Sequence, residues 1–210
     1  MEYIVNIISF ILHIDTHLEE IIRNYGVYTY AILWIIVFAE TGLVFVPFLP
    51  GDSLLFAAGA FAAIGSFNIV HLILLLIIAA ILGDSINYSI GRFFGQQLID
   101  HPTFPINQKH VNKAQQFYDK HGGKTIFLAR FIPILRTFAP FVAGIGKMNY
   151  KNFVFYNIIG AIVWVFVFCL LGYYFGNIPE VKDNFSLVII AIIVISVIPL
   201  IIELFKAKKK

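Results

Sequence analysis

The 210-residue chain is 60% hydrophobic and only 13% charged, with a net charge of +3 and a single cysteine. Soluble domains run at about 45–50% apolar and about 25% charged residues, so this apolar load excludes a disordered chain, and a lone Cys169 excludes an internal disulfide scaffold. The composition is that of an all-α integral membrane protein, and no basic arm interleaved with aromatics points to nucleic acid.

Residues 1–24 carry acids rather than a basic leader. They predict a short amphipathic helix at the membrane interface, not a cleavable signal. The region 27–64 is apolar but interrupted by Glu40, Pro47, Pro50, Gly51 and Asp52. Proline removes a helical N–H and clashes with the preceding turn, so this region predicts a broken, re-entrant hairpin. A clean span follows over about 69–92; a bilayer core needs about 20 apolar residues. The segment 100–124 is polar and holds Lys109, Lys113, Lys120 and Lys124, which predicts an amphipathic surface helix on the cytoplasmic side. A second broken region, 125–148, contains Arg130, Pro133, Arg136, Pro140 and Gly144. Non-helical backbone at membrane depth survives only inside protein or beside a wet cavity, so this region also predicts a re-entrant hairpin. Spans over about 153–175 and 187–205 complete the chain, followed by the basic tail 206–210, which the charge rule places in the cytoplasm.

The halves can be laid on each other. Pro50 matches Pro133, Gly59 matches Gly144 and Gly91 matches Gly172, at offsets of 83, 85 and 81 residues. Each unit is a hairpin followed by a span. One crossing separates equivalent points, so the second hairpin enters from the opposite face: an inverted-topology repeat, with an additional C-terminal span. The pairs Gly91/Gly95 and Gly172/Gly176 have the small-xxx-small spacing that lets helices approach closely.

The repeat is alike in backbone signals and opposite in charge. The first hairpin holds Glu40 and Asp52, the second Arg130 and Arg136. A central charge costs about 2.5–3.5 kcal/mol on insertion scales. Arg130 and Arg136 suit an anionic head group, because guanidinium meets phosphate oxygens bidentately. Glu40 and Asp52 are candidates for proton exchange; structural ion pairs are the alternative. Asp84, Tyr88 and Arg92 are supporting residues, with Asp84 pairing with Arg92 or capping a helix end. The histidines lack a carboxylate or cysteine cluster at metal spacing, and no phosphate-binding G-x-x-x-x-G-K-[ST] loop for ATP occurs. No metal, cofactor or enzymatic activity is therefore expected.

Phe48-Leu49-Pro50-Gly51-Asp52-Ser53, Gly91-Arg92 with Gly95, and Ala129-Arg130-Phe131-Ile132-Pro133 through Arg136-Thr137 to Ala143-Gly144 resemble the bacterial DedA family. This is also called the VTT or SNARE-associated membrane protein family. The resemblance covers about residues 25–180. It implies two facing re-entrant hairpins and functional roles for Glu40, Asp52, Arg130 and Arg136. It further implies a flippase-like transporter of an anionic lipid in the bacterial plasma membrane. Undecaprenyl phosphate is the leading candidate, since members are implicated in its recycling, and eukaryotic relatives are similar to phospholipid scramblases. The competing expectation is a proton- or ion-coupled transporter of ions or small cationic compounds.

Overall fold

A computed structural model of the chain describes residues 26–43, 51–99, 112, 118, 122–184, 187–188 and 191. The expected interfacial helix 1–24, most of the surface segment 100–124, nearly all of the span 187–205 and the tail lie outside these residues, as do Pro47 and Pro50. The described elements are helices: α1 (Val27–Gly42), α2 (Gly51–Ala63), α3 (Ile69–Ile99), α4 (Lys124–Ala129), α5 (Pro133–Ile145), α6 (Tyr150–Gly176) and α7 (Pro179–Asp183).

Two helices are long and apolar enough to cross a membrane, Ile69–Gly95 within α3 and Tyr150–Gly176, each 27 residues with mean hydropathy 2.5. At 1.5 Å per residue each reaches about 40 Å, against a hydrocarbon core of about 30 Å. The faces say what solvent they meet. On α3, Val70, Leu74, Ile78, Leu82 and Ile86 recur every fourth residue and all are exposed. Phe155, Ile159, Ile162 and Phe166, spaced by four, three and four residues, form a similar exposed stripe on α6. Apolar stripes of this length are a liability in water and the natural surface of a helix in lipid.

Both long helices begin at an asparagine. The Asn68 side-chain oxygen accepts the N–H groups of Val70 (3.0 Å) and His71 (3.1 Å). Asn149 does the same for Lys151 (3.0 Å) and Asn152 (3.5 Å). Each cap satisfies donors that have no partner inside the first turn.

In the first broken region α1 ends at Gly42 and α2 begins at Gly51; the second is interrupted before Pro133, with one correction. Residue Ile132 is extended (φ −113°, ψ 111°) and Pro133 is at the start of α5. A residue before proline is pushed out of the helical region, and proline at a first helical position gives up an N–H that would lack a partner anyway. Pro140, expected to mark a second break, instead lies inside α5. A proline inside a helix is accommodated where neighbouring structure re-satisfies the freed backbone. Here it is buried, and the discontinuity falls between α4 and α5.

The chain divides into two compact units. The first comprises Met1–Leu33, Pro50–Leu74 and Phe166–Lys210. Here α2 packs on the C-terminal part of α6. A Cβ on Gly59 would meet the Cys169 carbonyl, one on Gly172 the Phe56 carbonyl, and one on Gly176 the backbone of Ala60. Phe56 and Phe175 lie beside this contact with ring centroids 5.5 Å apart. Cys169 is fully buried, as a packed thiol would be.

The second unit comprises Trp34–Leu49 and Leu75–Val165. Here α5 packs on α3 by the same device. Gly144 meets the Tyr88 carbonyl, Gly91 the Phe141 carbonyl, and Gly95 the Ile145 side chain. Every partner in this triplet stands 85 residues (short helix) or 81 residues (long helix) beyond or before its counterpart in the first unit. Tyr88, Phe141 and Phe153 are fully buried between the helices, and the Tyr88 and Phe153 rings stack with centroids 4.4 Å apart. The Tyr118 hydroxyl, from the largely undescribed segment 100–124, donates to the Ala139 carbonyl at 2.7 Å. Burial pushes that phenol upward from its ordinary range.

Candidate functional site

Four elements of the second unit converge on one group of charges. The last turn of α1 supplies Glu40 and Thr41. The middle of α3 supplies Asp84 and Asn87, three residues apart and so on one face. The break between α4 and α5 supplies Arg130, and the first turns of α5 supply Arg136. Within α6, Asn157, Gly160 and Trp164 share a face at i, i+3 and i+7. All four charged side chains are buried: Glu40 is 0% exposed, Asp84 2%, Arg130 3% and Arg136 5%.

Arg130 Nη2 donates to Asp84 Oδ2 and, at 2.7 Å, to Asn157 Oδ1. Asn157 Nδ2 in turn donates to the Ile81 carbonyl at 3.1 Å, which ties α6 to α3. Arg136 Nη2 donates to Glu40 Oε1. Both guanidiniums lie over the Trp164 ring, Arg136 at 4.8 Å and Arg130 at 5.7 Å from its centroid. Desolvated cation–π contacts contribute about 2 kcal/mol. Asn87 Nδ2 reaches the Thr41 carbonyl (3.0 Å) and the Thr137 carbonyl (2.8 Å), fixing α1 and α5 to the same face of α3. Close approach is built in: a Cβ on Gly83 would strike Thr41, and one on Gly160 would press on Arg130 Nε.

Two cations and two anions sum to zero, and that balance lets them stay buried. A single unpaired ion would cost several kcal/mol. The hydrogen bonding is not used up. Arg130 Nη1, Asp84 Oδ1 and Asn87 Oδ1 are buried and make no hydrogen bond among the described residues. Among those residues, no group of three or more His, Cys, Asp or Glu stands where a metal would be held.

Glu40, Arg130 and Arg136 are thus brought together. Asp52 lies in the first turn of α2, in the other unit. Gly51 opens α2 and Pro133 opens α5. The expected pairing of Asp84 with Arg92 is corrected: Asp84 bonds Arg130. The reason is distance along one helix. Arg92 is eight residues beyond Asp84, about 12 Å at 1.5 Å per residue. Arg92 instead donates to the Tyr88 hydroxyl at 3.1 Å, and that hydroxyl donates to the Met148 carbonyl. Asn87, Asn157 and Trp164 were not picked out as site residues. Asn157 had a signal, being the polar exception in an apolar run, and Trp164 had one too, sitting mid-span rather than in the interfacial belt where tryptophan is enriched.

The VTT domain matches residues 49–174. Protein DedA of Escherichia coli (strain K12) is 54% identical over 212 residues, covering 100% of this chain and 97% of that protein. The chain belongs to the DedA family. More distant relatives include an uncharacterized membrane protein of Mycobacterium leprae (strain TN), 40% identical over 80% of this chain and 76% of that protein. The inner membrane protein YqjA of Escherichia coli is 35% identical over 71% of this chain and 69% of its own length. No solved structure matches the chain. Family membership and two spanning-length helices together make this a membrane protein of the DedA family.

Proposed function

We propose that this DedA-family protein is a flippase-like transporter that carries an anionic polyprenyl lipid, undecaprenyl phosphate first among candidates, across the bacterial plasma membrane. One observation carries the reading: two buried guanidiniums lie over one tryptophan ring. A planar donor fork is the group of choice for phosphate oxygens, and a pair of them in a poorly hydrated volume suits a phosphate monoester better than a zwitterionic head group. The two broken regions are read as re-entrant hairpins entering from opposite faces, as in inverted-repeat transporters with a midplane site. The repeated glycine contacts at offsets of 81 and 85 support that reading. The basic sequence Lys206-Ala207-Lys208-Lys209-Lys210 supports a cytoplasmic C-terminus under the charge rule. Glu40 and Asp52 couple the cycle to protons.

The test is lipid movement in vesicles. Purified protein reconstituted with a fluorescent undecaprenyl phosphate accelerates its transbilayer exchange. Arg130→Ala and Arg136→Ala lower that rate at least tenfold while eluting as folded protein. Equal rates in wild type and both variants would rule out phosphate binding by these residues. Ion flux in vesicles free of carrier lipid would point instead to an ion-coupled transporter.

A further inference from the structure

Resting on that phosphate reading and taking it one step further, we infer that Asp84 is the built-in counter-anion of the site. It holds Arg130 while the site is unloaded and yields it to the phosphate of the substrate, so that loading exchanges one anion for another.

Charge balance requires some such exchange. Arg130, Arg136, Asp84 and Glu40 sum to zero in a volume where each is at most 5% exposed. A phosphate monoester adds a charge of about −1.5 to −2. With both carboxylates still in place the cluster would be strongly negative and poorly hydrated, which the same desolvation argument forbids. One carboxylate must let go and take up a proton from water as the phosphate enters, since a released but ionised carboxylate would still count in the sum.

Asp84 is the one whose arginine also has a neutral acceptor, Asn157 Oδ1. Its bond to Arg130 is single where the two groups could form a double fork: Asp84 Oδ1 and Arg130 Nη1 make no hydrogen bond among the described residues. Arg130 does not depend on Asp84 for its position. Asn157 Oδ1 holds the same Nη2 at 2.7 Å, and Trp164 lies beneath the guanidinium. Gly160 leaves room beside Nε, since a Cβ there would stand 3.3 Å away. The guanidinium is therefore fixed by neutral groups, and its charge is met by a replaceable one. Asn157 and Trp164 are positioning residues in this scheme, and Asp84 is the competitor.

The experiment uses the full chain in nanodiscs and reads intrinsic tryptophan fluorescence. The probes are a short-chain polyprenyl phosphate, inorganic phosphate and, as tail-only control, the uncharged polyprenol. Asp84→Asn keeps the shape and an acceptor oxygen but removes the competing charge. It should bind the lipid phosphate at least threefold tighter than wild type, with Asp84→Glu close to wild type and the polyprenol unaffected. Tightening toward inorganic phosphate as well assigns the site to the phosphate group alone; tightening confined to the lipid phosphate assigns it to a lipid head group. Both results support the exchange. Unchanged or weaker lipid-phosphate binding in folded Asp84→Asn overturns it while leaving the transport reading intact, because wild type still binds. No phosphate binding by any variant overturns both. Where Asp84→Asn does not fold, infrared difference spectra of the wild type decide. Phosphate should shift an aspartate carboxylate band that is absent from Asp84→Glu, and no such shift means that Asp84 stays where it is.

Discussion

The two glycine-packed helix pairs share a scaffold and differ in chemistry. In the first unit α2 meets α6 through Gly59, Gly172 and Gly176; in the second α5 meets α3 through Gly144, Gly91 and Gly95. At the same offset of 81, α3 carries Asp84, Asn87 and Tyr88 where α6 carries Val165, Phe168 and Cys169. Backbone contact at glycine asks nothing of the neighbouring side chains. One unit could therefore stay apolar while the other gathered an ionic cluster. Close packing is common property of the two units, and among the described residues the buried ionic cluster lies in the second unit, to which both copies of the repeat contribute.

Breaking the ionic half should have the largest effect. Arg130→Met removes the cation and leaves Asp84, 2% exposed, without its partner. Removing one member of a buried pair destabilises by about 3–5 kcal/mol. Thermal unfolding in detergent should show that loss, and Arg130→Met combined with Asp84→Leu should recover most of it. If the double variant is no more stable than the single one, the pair is not the unit of compensation described above.

The shared half sets the next test. An alanine at Gly59 or Gly144 puts a methyl group into a backbone carbonyl, that of Cys169 or Tyr88. Backbone cannot step aside as a side chain can, so each substitution should destabilise by about 1–3 kcal/mol, the range for overpacking. The two losses should match within their error if the contacts are equivalent. A well-tolerated alanine at one site and not the other would show that only one copy depends on close approach.

How much of this was readable beforehand follows the same division. The long apolar runs gave α3 and α6, and Pro133 gave the start of α5, because length and a missing N–H act locally. The small-residue spacing of Gly91/Gly95 and Gly172/Gly176 marked the helix contacts for the same reason. Membership of Arg130, Arg136 and Glu40 in a charged site was visible as charge in an apolar context. Their partners were not. Asp84 lies 46 residues from Arg130, and Glu40 lies 96 from Arg136, so pairing is decided by how helices pack rather than by neighbourhood in the chain. Pro140 misled for the converse reason: a local breaker was overridden by burial in α5.

The smallest effect concerns the two asparagines that start the long helices. Neither was singled out from sequence, yet they too stand 81 residues apart. Replacing a cap of this kind by alanine costs about 1 kcal/mol. The two are not equal. Asn68 accepts at 3.0 and 3.1 Å, and its own N–H donates to the Tyr30 hydroxyl at 2.7 Å, where Tyr30 also packs edge-on against Phe67. Asn149 accepts at 3.0 and 3.5 Å, and a bond at 3.5 Å is well past the usual range. Asn68→Ala should therefore lower the unfolding temperature more than Asn149→Ala, by a few tenths of a kcal/mol in the difference. The Tyr30 bond comes from the Asn68 backbone and survives the substitution, so the gap measures the side-chain caps themselves. Equal losses would mean that the longer bond at Asn149 is as effective as the shorter one at Asn68, and that the two helix starts are equivalent in energy as well as in sequence position.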